Sequence, residues 1–417
     1  MKDMMRKVAF QPQGRIVHVL DGTRVLEAAA NAGLVLDAPC GGNGTCGKCR
    51  FRALQGAEAP CAADRVTFSP AELEAGWRLA CQTAVARDLV VHVPGSSLFG
   101  HALQIATTSA AGAPAEVLPC VRKACVALPP PTLEDNDSDS LRLEKCLGPF
   151  ETTLPLLRQL PARLRALAFK GTAVLSHGRL IDFEPGDTAD RCFGVAFDIG
   201  TTTLVASLLH LPSGEERAVV SRMNPQVAFG DDVLARIRYA GEVSNGLDTL
   251  RKVLTDEIGR MVAALADETG IAARDVYEVA FAGNTTMLHL LCGIDPTHLG
   301  VVPFTATYGR GLLLRAHDLE VPIHPAGMAY VFPVVGGFVG GDTAAGMMAT
   351  RIDSLDGPAL LVDIGTNGEI VLAHLSGLLA ASTAAGPAFE GARISCGMRA
   401  VPGAIEKVVI DTDVHLG

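Results

Sequence analysis

Apolar residues along this chain come mostly in short runs that end at Gly, Pro, Asp or Asn. That pattern predicts strands and short helices joined by tight turns. Val8 to Phe10 and Arg15 to Leu20 read as strands around a Pro12/Gly14 turn. A helical run at 25–30 stops at Gly33, with Thr23 as the expected cap. Val117 to Leu128 reads as a strand broken by Pro129-Pro130-Pro131. Leu154, Leu157, Leu160, Leu164 and Leu167 make a helical stripe disturbed by Pro161. Ala173-Val174-Leu175 and Leu180 to Phe183 flank a hairpin turn at Ser176-His177-Gly178-Arg179. Residues 247–269 carry the period of a long amphipathic helix.

One pattern occurs twice. The apolar run Phe193 to Phe197 ends in Asp198-Ile199, turns through Gly200-Thr201-Thr202-Thr203 and leaves as a second apolar run. Leu360 to Val362 ends in Asp363-Ile364, turns through Gly365-Thr366-Asn367-Gly368-Glu369 and leaves likewise. A Gly/Thr turn at a strand end presents backbone N–H groups that suit a phosphate. An Asp at each turn can hold Mg²⁺ through water. One copy alone reads as well as an ordinary hairpin, but a matched pair points to two lobes facing one ligand. Val279 to Ala282 predicts a buried strand, followed by Gly283-Asn284-Thr285-Thr286 and a helix. Such an edge binds ligands in α/β folds, and Asn284 or Thr285 serves equally as a helix cap. Asp231 and Asp232 precede another helix, where capping is at least as good a role as catalysis.

Composition narrows the class. The chain has 417 residues, 48% hydrophobic and 19% charged, enough for two to four domains. A net charge of −10 argues against a nucleic-acid surface. No run of 18 apolar residues and no signal-like segment occurs, so the expectation is a cytoplasmic protein without a membrane span. Eleven cysteines without a secretory signal fit metal binding better than a disulfide framework.

Cys40, Cys46, Cys49 and Cys81 stand in C-x₅-C-x₂-C…C order. Four thiolates in this order suit a [2Fe–2S] cluster. Gly41, Gly42, Gly44 and Gly47 let the loop wrap tightly and admit positive φ. Zinc sites usually pair two knuckles, whereas here Cys81 stands alone. The segment Gly42 to Lys48 also matches the start of a P-loop, but Cys49 replaces the required Ser or Thr. Cys61 belongs to no ligand spacing and is expected to be idle. Cys120, Cys125, Cys146 and Cys192 are irregularly spaced and are expected as core thiols rather than a second metal set.

The cysteine loop resembles that of adrenodoxin-type ferredoxins, which implies a β-grasp domain over residues 1–95. The two Asp-Ile-Gly-Thr turns resemble the phosphate-1 and phosphate-2 motifs of actin-like (ribonuclease H-like, ASKHA) ATPases, and Val335 to Met348 is similar to their connect-1 helix. The expected order is ferredoxin domain, linker 96–116, small α+β module 117–190 and ATPase domain 191–417, an α+β and α/β multidomain chain. The adenine-binding segment of that superfamily is not found, so the sequence is expected to be part of a longer protein. Together the parts resemble the reductive activators of corrinoid proteins. That resemblance implies ATP-dependent reduction of a partner's Co(II) corrinoid to Co(I) in a methyltransferase system, fed by an upstream electron donor. The implied roles are cluster ligation by Cys40, Cys46, Cys49 and Cys81. Phosphates would meet Gly200, Thr201, Thr202, Thr203, Gly365, Thr366, Asn367 and Gly368. Mg²⁺ and the attacking water would be organised by Asp198, Asp342 and Asp363. A homodimer is compatible. Two rival readings are a small-molecule kinase with a redox-sensing cluster, and an electron carrier whose ATPase-like domain binds no nucleotide.

Overall fold

The computed structural model describes residues 5–38, 42–56, 58–98, 117–230, 232–365, 368–383, 408–410 and 414–416. Cys40, Gly41, Asp231, Thr366, Asn367 and most of the 96–116 linker lie outside the described residues.

The first sheet contains β1 (Met5–Gln11), β2 (Arg15–Leu20), β3 (Arg50–Gln55), β4 (Trp77–Leu79) and β5 (Leu89–His92), in the order β2-β1-β5-β3-β4. Only β1 and β5 run parallel. Helix α1 (Val25–Asn31) buries Val25, Leu26, Ala28 and Ala29 against Phe10, Phe51 and Val91. Each buried Phe contributes roughly 2–3 kcal/mol of apolar transfer. Thr23 does not cap α1. Arg24 holds that position in extended backbone because it bridges to Ala84, and its guanidinium donates to the Cys81 carbonyl. Cys61 is not idle. It caps α2 (Ala62–Thr67) in a reciprocal arrangement with Asp64, whose carboxylate also accepts from the Leu79 amide at 2.8 Å. Helix α3 (Pro70–Glu74) follows.

The middle module has the sheet β6-β8-β9-β7, from β6 (Val121–Ala127), β7 (Glu151–Thr152), β8 (Lys170–Ser176) and β9 (Arg179–Glu184). Helices α4 (Asp139–Leu147), α5 (Leu154–Leu157) and α6 (Leu160–Ala166) cover it with Leu143, Leu160 and Leu164. The expected leucine stripe is thus two helices, because Pro161 fits the first turn of α6 and starts it rather than kinking one long helix. Cys120, Cys125 and Cys146 are exposed rather than in the core, and only Cys192 of that set is buried.

The large sheet runs β12-β11-β10-β13-β15-β14. Its strands are β10 (Phe193–Ile199), β11 (Thr203–His210), β12 (Glu215–Met223), β13 (Val276–Gly283), β14 (Leu312–Arg315) and β15 (Met328–Val331). The hairpins β10–β11–β12 are antiparallel, while β10, β13 and β15 are parallel neighbours. Helices α7 (Val233–Glu242), α8 (Gly246–Thr269), α9 (Thr285–Cys292) and α10 (Gly341–Thr350) accompany it. Leu250, Leu254, Ile258 and Met261 of α8 have no exposure and anchor it on the sheet core. A small sheet of β16 (Ala359–Ile364), β17 (Gly368–His374) and β18 (Gly377–Thr383) follows, then a ribbon of β19 (Val408–Ile410) and β20 (Val414–Leu416).

The seam between the middle module and the large sheet packs Val121, Val174 and Ile181 against Cys192 and Tyr277, with buried polar contacts beside them. Lys123 on β6 is fully enclosed and donates to Glu184 at 2.6 Å, to the Arg191 carbonyl at 3.0 Å and to the Tyr277 hydroxyl at 3.1 Å. Burial alone would raise the Glu184 carboxyl, but the ammonium and the Thr188 and Tyr277 hydroxyls hold it below its ordinary range. His324 meets Asp182 at 3.1 Å, and Arg191 meets Asp275 at 2.6 Å, along the same seam.

Candidate functional site

The first Asp-Ile-Gly-Thr turn joins β10 to β11. Gly200 is required there by close approach, since a Cβ would fall 2.5 Å from the Thr203 carbonyl oxygen. All three carbonyls of the turn are occupied from the protein side. Asn224 donates its amide nitrogen to Gly200 at 2.8 Å and its backbone N–H to Thr202 at 2.8 Å. Arg236 of α7, fully buried, donates to Thr201 at 2.5 Å and to Gly230 at 2.9 Å. The Thr201 hydroxyl accepts from Asn284 at 2.9 Å. The carbonyl oxygen of the same Asn284 side chain caps α9 at the Met287 amide, 3.0 Å away. Asn284 therefore caps α9 with one end of its amide and holds the Thr201 hydroxyl with the other.

Helices α9 and α10 bring their N-termini together. A Cβ on Gly340 would lie 2.5 Å from the Asn284 Cα, so only glycine allows this contact. The Thr285 hydroxyl donates to Gly336 at 2.6 Å and ties the preceding loop down. Asp342 does not cap α10, because Gly340 occupies the cap. Its carboxylate accepts from the Thr343 amide at 2.7 Å within the first turn. Asp232 does cap α7, at the Ala235 amide.

Asp198, Asp342, Asp363 and Glu369 come from β10, α10, β16 and β17, and the charges of Asp342 and Asp363 act on both Asp198 and Glu369. Asp198 is exposed, near the end of β10. Desolvation, then Asp342 and Asp363, push it up to about 6. Asp342 is raised by burial, partly offset by the Thr343 amide. Glu369 is buried, and burial with the charges of Asp342 and Asp363 pushes it up to about 7. Glu369 was absent from the expected site. Counting the hairpin finds it: the register pairs Asp363 with Glu369 directly across β16–β17. Thr366 and Asn367 lie outside the described residues.

The cysteine loop lies against Cys81. Cys49 and Cys81 are buried and Cys46 is half-buried, at the adjoining ends of β3 and β4. The Ala80 amide donates to the Cys49 carbonyl at 2.9 Å. Gln82 bridges Gly42 at 2.5 Å and approaches the Cys81 sulfur at 3.7 Å. Gly42, Gly44 and Gly47 all have positive φ, as a loop wrapping an anionic cluster requires. Thiol donors, burial and the tight loop fit an iron–sulfur cluster. A strand, β3, follows Cys49 instead of a helix, so the loop is not a P-loop.

Among the described residues no helix is long and apolar enough to cross a membrane. Four family models match the chain. The 2Fe-2S iron-sulfur cluster binding domain covers residues 8–86, the RACo linker region 110–190, the RACo middle region 193–355 and the C-terminal ASKHA domain of RACo 357–416. The corrinoid activation enzyme RamQ of Eubacterium limosum is 32% identical over 408 residues, spanning 96% of this chain and 65% of RamQ. The [Co(II) methylated amine-specific corrinoid protein] reductase of Methanosarcina barkeri is 28% identical over 225 residues, 51% of this chain and 40% of that protein. This chain therefore spans about two-thirds or less of these relatives. The solved structure of a reductive activator for corrinoid, iron-sulfur protein aligns with TM-score 0.68 at 33% identity, over 99% of this chain and 68% of that one. An iron–sulfur ferredoxin domain and a nucleotide-binding ASKHA domain therefore share one polypeptide, and the chain belongs to the RACo family of reductive activators of corrinoid proteins.

Proposed function

We propose that this chain uses ATP to drive one-electron reduction of Co(II) to Co(I) in a corrinoid held by a methyltransferase partner protein. The observation that carries the reading is the physical joining of two machines. Arg236, which braces the Thr201 carbonyl, and Tyr239, which bonds to Glu27 on α1 of the cysteine-bearing domain, are on the same helix. A [2Fe–2S] cluster held by Cys40, Cys46, Cys49 and Cys81 would supply a one-electron carrier. The family assignment supports that cofactor and nucleotide binding.

Gly200, Thr201, Thr202 and Thr203 would meet one end of the phosphate chain, with Gly365, Thr366, Asn367 and Gly368 at the other. Because the first turn's carbonyls are held by protein donors, its amide edge is the one left to receive an anion. Asp198, Asp342 and Asp363 would hold Mg²⁺ through water and orient the attacking water. Glu369, poised near neutrality, can take its proton. ATP shifts electron transfer only through unequal affinity for two conformations. Moving a ratio from 1:99 to 99:1 takes about 5.5 kcal/mol, which is roughly 230 mV for one electron. The reading carries with it an upstream electron donor and a cytoplasmic setting, and it is compatible with a homodimer.

The test uses full-length protein with a corrinoid partner. Cys46→Ser should abolish reduction and leave nucleotide binding intact. Asp198→Ala should keep the cluster's spectrum and stop activation. Normal activation by Asp198→Ala would overturn the coupling.

A further inference from the structure

Cys120, His177 and Glu278 lie apart from both sites described above. They place a thiol, an imidazole and a carboxylate so that one ligand atom from each lies within 4.8 Å of the others. Three separate pieces of chain supply them. Cys120 immediately precedes β6, His177 sits in the β8–β9 turn, and Glu278 is on β13 of the large sheet. The pieces are held independently of any ion. The His177 amide donates to the Cys120 carbonyl at 3.0 Å, and His177 adopts left-handed backbone at φ 50°. Glu278 is fixed in register between Gly194 and Met328.

We propose that Cys120, His177 and Glu278 form a zinc-binding site that pins the middle module to the large sheet. His177 Nε2 and Glu278 Oε1 are 3.4 Å apart. Two ligands bound at about 2.0–2.1 Å to a tetrahedral ion stay roughly 3.3 Å apart, so this edge already has ligand spacing. The Cys120 sulfur must close by on the order of 1 Å, and the residue is exposed, outside the packed core. A mixed S/N/O donor set selects zinc over the hard cations that want all-oxygen ligands. Three protein ligands leave a fourth position for water. Burial raises both the Cys120 thiol and the Glu278 carboxyl, and the charge on Glu278 lifts the thiol further. A divalent cation would relieve both. The ordinary alternative is a His177–Glu278 ion pair with a bystander thiol.

The experiment measures zinc and iron together in the full-length protein with its cluster assembled, equilibrated anaerobically with Zn²⁺ and desalted. About one zinc per chain is expected in addition to cluster iron. Cys120→Ser and His177→Ala, both at solvent-reachable positions, should weaken zinc on the order of 100-fold with iron unchanged. Cys125→Ser, on the strand that Cys120 precedes, should retain it. Wild-type protein that keeps no zinc overturns the proposal, and so does zinc retained equally by Cys120→Ser.

Discussion

The Tyr239 hydroxyl donates to the Glu27 carboxylate across 3.2 Å, linking helix α7 to helix α1. Burial and then the charge on Glu27 raise the tyrosine above its ordinary pKa, so it stays a donor. One turn earlier on α7, Arg236 grips the Thr201 carbonyl. A displacement of the phosphate turn therefore has a rigid route to the cysteine-bearing domain. Tyr239→Phe should cost about 1 kcal/mol of stability, leave the cluster spectrum and ATP affinity in place, and slow nucleotide-driven electron delivery. A double-mutant cycle with Glu27→Ala, which removes the acceptor, should return a coupling near 1 kcal/mol. Additive effects would remove this contact from the route.

Glu369 shifts from an ordinary 4.5 up to about 7 in the fold. The native state therefore holds more protons than the unfolded chain between those values, and stability falls as pH rises through that window. Glu369→Gln should flatten the dependence and stabilise the nucleotide-free chain at pH 8 by up to about 3 kcal/mol. Urea unfolding at pH 5 and pH 8 measures it. A variant less stable than wild type at pH 8 would mean that the carboxylate has a favourable partner. Mg²⁺ that reaches these carboxylates should bind more tightly at pH 8 than at pH 6 and release protons, readable by calorimetry in two buffers.

Gly340 separates two helix ends by no side chain at all. Gly340→Ala would set a Cβ 2.5 Å from Asn284 Cα and 2.7 Å from the Thr285 nitrogen, both backbone atoms that cannot swing away. The expected cost is about 1–3 kcal/mol, with a larger loss of nucleotide affinity because Asn284 moves with its contact to Thr201. Unfolding and nucleotide titration on one preparation separate the two effects. Unchanged binding would detach this junction from the phosphate turn.

The sequence carried the parts of the site that depend on local order. Asp198 and Asp363 end strands whose apolar runs are plain, and the cysteine loop keeps its spacing whatever surrounds it. What it carried poorly are contacts between distant segments. Arg236 looks like any helix arginine until Thr201, Gly230 and Gln226 are folded around it. Thr23 lost its cap to Arg24 because a bridge to Ala84, sixty residues on, fixes the backbone there. Cys120 and Cys125 read as core thiols because a short strand does not declare which of its faces is covered. Glu369 was reachable by hairpin counting, but its burial was not.

Lys123 has further meaning for how the molecule comes apart. Pulling the middle module away from Tyr277 would break the hydrogen bonds that its hydroxyl makes with Lys123 and Glu184, each worth about 1 kcal/mol net. The middle module and the large sheet should therefore melt as one cooperative block, with the ferredoxin sheet free to melt at its own temperature. Calorimetry should resolve two transitions in wild-type protein. Lys123→Ala should split the upper one, and a single undivided upper transition in that variant would show that the block is held by something else.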